Sequence, residues 1–176
     1  NDQANPRVVV PVYANGDNRL AGSAANADAI YAYNYNTVGG QTTLGTMGQI
    51  GAVWGTAYSR QADKLYYAAY AKRHVNAGPL GLNGLYVTTN AKSVNNTSST
   101  GNFVDLNAIN SAFNAGTVTR NFAPGAADKS NPNYDELMFG EVGKKGMGGM
   151  AISDDGKYLY VVNLNDARLW RITLGP

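Results

Sequence analysis

The sequence predicts an all-β protein made of antiparallel blades like those of a β-propeller, as a partial or incomplete propeller, with a β-sandwich as the alternative. Three observations support this fold class. The chain contains 21 Gly and 21 Asn, which form turns, and 12 Tyr, which suit strands. Short strand-like segments recur between Gly, Asn and Asp. One strand-turn-strand pattern occurs twice, as expected for repeated blades.

The strand-like segments combine Val, Thr and Tyr, which fit a half-buried pleated surface, and turn formers bound each of them. Ten strands are predicted, in order, over residues 7–14, 29–35, 42–47, 52–59, 64–71, 84–89, 102–106, 148–153, 157–163 and 168–174. Only residues 105–113 are predicted to form a helical turn. Asp105 can cap this turn, and Leu106, Ile109 and Phe113 lie on one side of it.

The repeat joins a strand of small residues, a tight turn and a Lys-led aromatic strand. Residues 51–70 form the first copy, and residues 146–163 form the second. A third predicted strand follows each copy. The turn of the second copy is Asp154-Asp155-Gly156, in which Asp caps its own turn and Gly supplies a left-handed residue. A repeated unit of three or four antiparallel strands is typical of a propeller blade, so the repeat predicts blades.

The chain is predicted to be a single β-rich module, residues 1–176, that belongs to a larger propeller. Its 44% hydrophobic and 15% charged residues are sufficient for one core. Residues 107–140 separate the two copies of the repeat, and their Pro, Gly and Asn content predicts a long surface insert. Residues 92–101 are polar and are predicted to form a loop or a hairpin tip.

Composition narrows the classes of function. The absence of Cys excludes disulfides, Cys-ligated zinc, iron–sulfur clusters and thiol nucleophiles, and His74 is the only conventional proton shuttle. A net charge of +2, spread over both signs, argues against a nucleic-acid partner. No apolar run approaches the roughly 18–20 residues of a membrane-spanning helix, so no membrane span is expected. The sequence nominates no catalytic and no cofactor-binding residue.

Five segments carry a family resemblance: residues 5–13 (NPRVVVPVY), 50–58 (IGAVWGTAY), 71–74 (AKRH), 78–81 (GPLG) and 142–157 (VGKKGMGGMAISDDGK). Together they resemble a propeller-like region of large secreted bacterial surface proteins, where it follows SdrD-B-like repeat domains. The resemblance implies a secreted or cell-surface location and implies no catalytic residue. In that family the region usually continues beyond the position of Pro176, so we expect this chain to be part of a larger protein.

Two basic clusters are candidate contacts for a ligand or partner. Lys72, Arg73 and His74 follow one predicted strand, and Lys144 and Lys145 precede another. In each copy of the repeat the first and second strands are antiparallel, so the start of the first strand and the end of the second lie at the same edge. We therefore expect both clusters on the same face. They would form a positive rim for an acidic partner or polymer. The alternative is a polar turn whose cations face water.

Three tyrosines are a second group of candidate contacts. Tyr31, Tyr33 and Tyr35 alternate along a predicted strand, which places their rings on one face. Flat aromatic rings can stack on sugars, so these residues could bind a glycan. The alternative is that the rings cover a sheet face or pack between two sheets.

Calcium is the one cofactor for which the sequence offers candidate ligands, because it needs only oxygen atoms. The carboxylates between Asp128 and Glu136 in the long insert are the best candidates for a loop cation site. The alternative is that they are ordinary turn and cap carboxylates.

The sequence therefore predicts a non-enzymatic extracellular structural or adhesive module of a bacterial cell-surface protein. A glycan-binding module is the first alternative, and a polysaccharide hydrolase that uses Asp166 or Glu136 is the second. The last predicted strand, residues 168–174, would expose unpaired backbone groups beside Leu169, Trp170 and Ile172. We expect a protein partner, a second copy or a continuation of the chain to cover this edge.

Overall fold

A computed structural model describes residues 5–37, 39–93 and 99–175, and ten strands within these ranges form three antiparallel sheets. The first sheet contains β1 (Arg7–Pro11), β2 (Asp28–Asn34) and β3 (Thr42–Thr46). The second contains β4 (Val53–Ser59), β5 (Lys64–Ala69), β6 (Gly84–Thr89) and β7 (Ser99–Asp105). The third contains β8 (Met147–Ile152), β9 (Tyr158–Asn163) and β10 (Arg168–Thr173). In every sheet the neighbouring strands are consecutive in sequence.

The prediction of an all-β fold is confirmed, since each of the ten predicted strands overlaps an observed one. The helices are single turns: α1 (Ser23–Asn26), α2 (Met47–Ile50), α3 (Leu106–Ile109) and the 3₁₀ turns Gly81–Asn83, Ala91–Ser93 and Glu136–Met138. None of the helices in the described ranges is long and apolar enough to cross a membrane.

The predicted polar loop over residues 92–101 falls partly on residues 94–98, which lie outside the described residues. Its last part is not a loop, because β7 begins at Ser99. A hydroxyl pair supports this earlier start of the strand: Thr100 Oγ1 lies 2.6 Å from Thr88 Oγ1 on β6. Cross-strand Thr pairs of this kind stabilise a sheet. The polar composition of the segment predicted a loop because it does not indicate that such pairs form.

The predicted helical turn after Asp105 is present but is shorter than expected. Asp105 Oδ1 accepts hydrogen bonds from the amides of Asn107 and Ala108, and so caps α3. The helix ends at Ile109, and Asn side chains form hydrogen bonds with the backbone of the turn that follows. The Asn107 side chain, for example, donates to the Phe113 carbonyl at 2.7 Å.

The tight turn between β8 and β9 has the structure that the sequence predicts. Asp155 Oδ1 accepts hydrogen bonds from the Ser153 hydroxyl at 2.6 Å and from the Lys157 amide at 3.0 Å. Gly156 has a φ of 72°, the left-handed conformation that glycine adopts most easily. The bond from Ser153 is the largest reason why the pKa of Asp155 lies below its usual value.

The four-stranded sheet lies between the other two, and both of its faces are covered. On one face, a Cβ added to Gly45 of β3 would lie 3.0 Å from the Thr100 methyl group of β7. On the other face β4 packs against β8, and a Cβ added to Gly55 would overlap the carbonyl oxygen of Gly148. Residues 65–69 of the central strand β5 are therefore all buried.

The core lies between the stacked sheets and includes buried tyrosines. Its largest side chains are Tyr67, Tyr86, Phe113, Ile30, Met47, Ile50, Leu85, Met138, Met147 and Leu159. Full burial of one such apolar side chain contributes roughly 1.5–3 kcal/mol. The Tyr67 hydroxyl pairs with Thr88 Oγ1 at 2.6 Å, and the Tyr86 hydroxyl accepts from the Leu80 amide at 3.1 Å. Burial raises the pKa of Tyr86 to about 12.

The long insert, residues 107–140, contains no strand, yet it contributes side chains to the core. Near its start, Phe113 packs edge-on against Trp170 of the third sheet, with ring centroids 5.2 Å apart. Further along, the carbonyl of Ala126 accepts a hydrogen bond from the Asp17 amide at 2.7 Å. Asp17 lies in the connection between β1 and β2, so the insert contacts segments of both outer sheets.

Gly55→Ala is expected to destabilise the stack, because the added methyl group would overlap the backbone of β8. We expect the free energy of unfolding, measured by urea denaturation, to fall by about 1–3 kcal/mol. Gly149→Ala is the matched control, since a Cβ at that position of β8 meets no atom within 4 Å. Equal losses in the two variants would contradict the close approach of β4 and β8.

Candidate functional site

A tight turn follows β5 and carries the first basic cluster. Lys72 and Val75 form an antiparallel bridge across this turn. His74 has a φ of 70°, a left-handed conformation that costs a residue other than glycine roughly 1–3 kcal/mol. The turn therefore needs support from elsewhere in the chain, and two side chains of the long insert provide it.

Arg120 and Asp135 hold the turn through a buried ion pair. Their side chains lie 2.5 Å apart, with Arg120 11% exposed and Asp135 wholly buried. Arg120 donates hydrogen bonds to the carbonyls of Lys72 and Val75, each at 2.8 Å. Asp135 Oδ2 accepts a hydrogen bond from the His74 amide at 3.0 Å. One ion pair thus satisfies three backbone groups of the turn and fixes its conformation.

The same cluster contains polar atoms that the fold leaves unpaired. His74 Nδ1, Arg120 Nε and Asp135 Oδ1 are buried without a hydrogen-bond partner in the described part of the chain. Each such atom costs about 1–3 kcal/mol, so the ion pair determines the position of the turn more than it adds stability. Burial lowers the pKa of His74 below 6.5, with a further contribution from Arg73, and Asp135 opposes the shift. The folded state therefore favours the neutral form of His74.

Lys72 and Arg73 each contact an aromatic ring. Lys72 Nζ lies 4.9 Å from the centroid of the Tyr13 ring, and Arg73 Cζ lies 5.7 Å from that of Phe139. Arg73 Nε also donates to the Tyr134 carbonyl at 2.9 Å. Cation–π contacts at exposed sites contribute about 0.5–1 kcal/mol. These two cations therefore have defined positions on the surface.

The second basic cluster lies beside the first. Tyr70, at the end of β5, forms an antiparallel bridge with Gly146, which precedes β8. Lys145 Nζ donates to Asn165 Oδ1 at 2.8 Å, and Lys144 is exposed. The segments that carry the two basic clusters therefore lie next to each other, as the antiparallel direction of their strands leads us to expect.

The three candidate tyrosines belong to the first sheet, whereas the basic clusters lie at the second and third sheets. The rings of Tyr31 and Tyr33 have centroids 6.3 Å apart, and both are partly buried. Ile30 and Ala32, which alternate with them, are buried on the other face of β2. Tyr31 and Tyr33 thus cover one face of the first sheet, and Tyr35 is 69% exposed beyond the end of β2.

An aromatic group that the sequence did not predict lies beside the first basic cluster. Tyr13, Trp54 and Tyr70, which we call the aromatic platform, come from three separate segments. The rings of Trp54 and Tyr70 have centroids 4.9 Å apart, and the Tyr13 hydroxyl donates to the Val53 carbonyl at 2.9 Å. Trp54 alternates with buried Val53 and Gly55, so strand periodicity alone was sufficient to predict that its side chain points outward.

The carboxylates considered for calcium binding and for hydrolysis differ in their surroundings. Asp128 Oδ1 accepts a hydrogen bond from the Ser130 amide at 2.9 Å, the main reason why the pKa of Asp128 is lowered. Asp166 Oδ2 accepts from the Trp170 indole at 3.0 Å, and Glu136 is exposed. Within residues 5–37, 39–93 and 99–175, no group of three or more His, Asp or Glu could hold a metal ion.

Comparisons with known proteins do not assign the chain to a family. No protein-family model, no curated protein and no solved structure matches it. The resemblance to secreted bacterial surface proteins therefore remains a prediction that depends on the five segments that carry it.

Asp135→Asn is expected to destabilise the protein, because it leaves the Arg120 guanidinium buried without a counter-charge. The loss expected for breaking a buried ion pair is about 3–5 kcal/mol. Asn tolerates the left-handed φ of 36° found at this position, so the variant tests charge and not backbone strain. Glu136→Gln, which changes the adjacent exposed carboxylate, is expected to alter stability by less than about 0.5 kcal/mol. Urea denaturation that shows similar losses for both would contradict the role of the ion pair.

His74 is expected to make stability depend on pH. Its pKa is lower in the folded state than in the unfolded chain, so the unfolded chain takes up the proton first as the pH falls. The melting temperature should therefore be constant above about pH 7 and should fall toward about pH 5. His74→Asn, which removes the only histidine and tolerates a φ of 70°, should abolish most of this change. A melting temperature that rises toward the lower pH would contradict the lowered pKa.

Proposed function

We propose that this chain is a non-enzymatic extracellular structural or adhesive module of a bacterial cell-surface protein, and that its sheets are blades of a β-propeller. The connectivity of the sheets, the exposed apolar side chains on the outer face of the third sheet and the adjacent basic clusters support this proposal. The resemblance of the five segments to secreted surface proteins supports the cellular location.

The connectivity of the sheets favours blades over a sandwich. Each sheet consists of strands that are consecutive in sequence, as in a propeller blade. A Greek-key sandwich would instead place strands of distant sequence side by side in one sheet. The first strands of successive sheets, β4 and β8, also approach so closely that Gly55 has no room for a side chain. Such an approach is expected where blades converge on a common axis.

The outer face of the third sheet is the observation that carries the proposal. Val162 of β9 pairs with Leu169 of β10, and their side chains are 36% and 67% exposed. Ala151 and Tyr160, which pair across β8 and β9, lie on the same face, and so does the exposed Arg171, which pairs with Tyr160. Sheets normally bury an apolar face against another layer. In a propeller the next blade would cover this face, and it would come from the same polypeptide or from a second one.

The mass and association of the protein purified from its natural source test this proposal. We expect either an intact mass above that of 176 residues, or association that increases with concentration in sedimentation velocity. In the second case Leu169→Lys should weaken association by about tenfold or more, because it places a charge in the apolar face. Leu20→Lys, at a position 52% exposed in the connection between β1 and β2, is the control. A protein of 176 residues that stays monomeric at every concentration would contradict the proposal.

A further inference from the structure

Trp54 is a large aromatic residue that β4 presents to solvent. Its side chain is 54% exposed, whereas Val53 and Gly55 on either side are buried. Buried neighbours therefore fix the position of the strand on both sides of the tryptophan. A single exposed apolar residue is common in proteins, but the arrangement of the groups around Trp54 is specific.

Two tyrosines with restrained hydroxyl groups surround Trp54. Tyr70 is buried, and its ring lies at 52° to the Trp54 ring with centroids 4.9 Å apart. The Tyr70 hydroxyl takes a hydrogen bond from the Gly143 backbone, and the Tyr13 hydroxyl donates to the Val53 carbonyl. Burial raises the pKa of Tyr13 to about 12. Rings that are already ordered lose little conformational freedom when a ligand binds.

Lys72 gives the aromatic platform a positive charge. Its ammonium group lies 4.9 Å from the centroid of the Tyr13 ring. The ion pair between Arg120 and Asp135 is the only one in the described part of the chain, so Lys72 has no carboxylate partner there. The Gly143 backbone, which bonds to the Tyr70 hydroxyl, immediately precedes Lys144, an exposed cation. A ligand that covers the rings and carries a negative charge fits this surface.

We propose that the aromatic platform and Lys72 form a binding site for an anionic polysaccharide, with a sugar ring on Trp54 and a carboxylate or sulfate group at Lys72. A sugar ring presents C–H groups that the negative face of an aromatic ring attracts. Its anionic substituent can form a charge-assisted hydrogen bond with the ammonium group. A protein partner would require a larger contiguous surface than the rings of Trp54 and Tyr13 offer. This site goes beyond the structural role and does not depend on a propeller fold.

Two matched pairs of polymers test the site by titration calorimetry. Polygalacturonate is compared with its methyl ester, and dextran sulfate is compared with dextran. We expect at least one anionic polymer to bind about tenfold or more tightly than its neutral counterpart, with an affinity that falls as salt is added. The carboxylated and sulfated polymers together show which anionic group the site accepts.

Variants of the platform separate this site from general attraction between charges. Trp54→Ala should weaken binding by about tenfold, and Trp54→Phe, which keeps a ring beside Tyr70, by less. Lys72→Met should weaken binding several-fold and reduce its dependence on salt. Ile109→Ala removes an apolar side chain that is 63% exposed at the end of α3, and Lys92→Met removes an exposed lysine beyond the far end of β6. Both controls should bind as the unmodified protein does.

Two results would overturn the proposal. One is the absence of binding to both anionic polymers at millimolar concentrations of sugar units. The other is binding that Trp54→Ala and Lys72→Met leave unchanged. Circular dichroism checks the folding of every variant, and if Trp54→Ala does not fold, Trp54→Phe and Lys72→Met decide the outcome. Association through Leu169 is measured separately, so failure of this site and failure of the structural proposal are distinguishable.

Discussion

The buried ion pair between Arg120 and Asp135 is the interaction on which the candidate surface depends. It joins the long insert to the turn after β5, and it does so through the backbone of Lys72, His74 and Val75. Because the pair fixes the backbone of this turn, the side chains that leave it have defined positions against aromatic rings. The insert is thus a structural support for the surface as well as a connection between sheets.

The stacking of the three sheets supplies the rigid frame for that surface. Both faces of β5 in the middle sheet are buried, and the platform residue Trp54 lies on the strand where this sheet meets the third one. A binding group on such a strand is held more firmly than one on a loop. The same stacking leaves Leu169 exposed on the outer face of the third sheet. Adhesion and assembly would therefore use different parts of one frame.

Strands, turns and the all-β class could be predicted from the sequence because they depend on local periodicity and on residues such as Gly156. The helix α2 was also predictable in principle, since Thr46 and Gln49 form a capping box, but its four residues are too few to produce a helical pattern. The partners in the candidate site were not predictable. Arg120 and Asp135 reach the turn after β5 only through tertiary packing, and no local spacing relates them to it.

The most direct test is a structure, by crystallography or electron cryomicroscopy, of the protein purified from its natural source. We predict a further antiparallel sheet packed against the face that contains Ala151, Tyr160, Val162 and Leu169, with its first strand beside β8. We also predict that the first strands of all sheets surround a common axis. Two observations together would contradict the assignment of the sheets as propeller blades. They are solvent on that face and strands that cross between sheets as in a Greek-key sandwich.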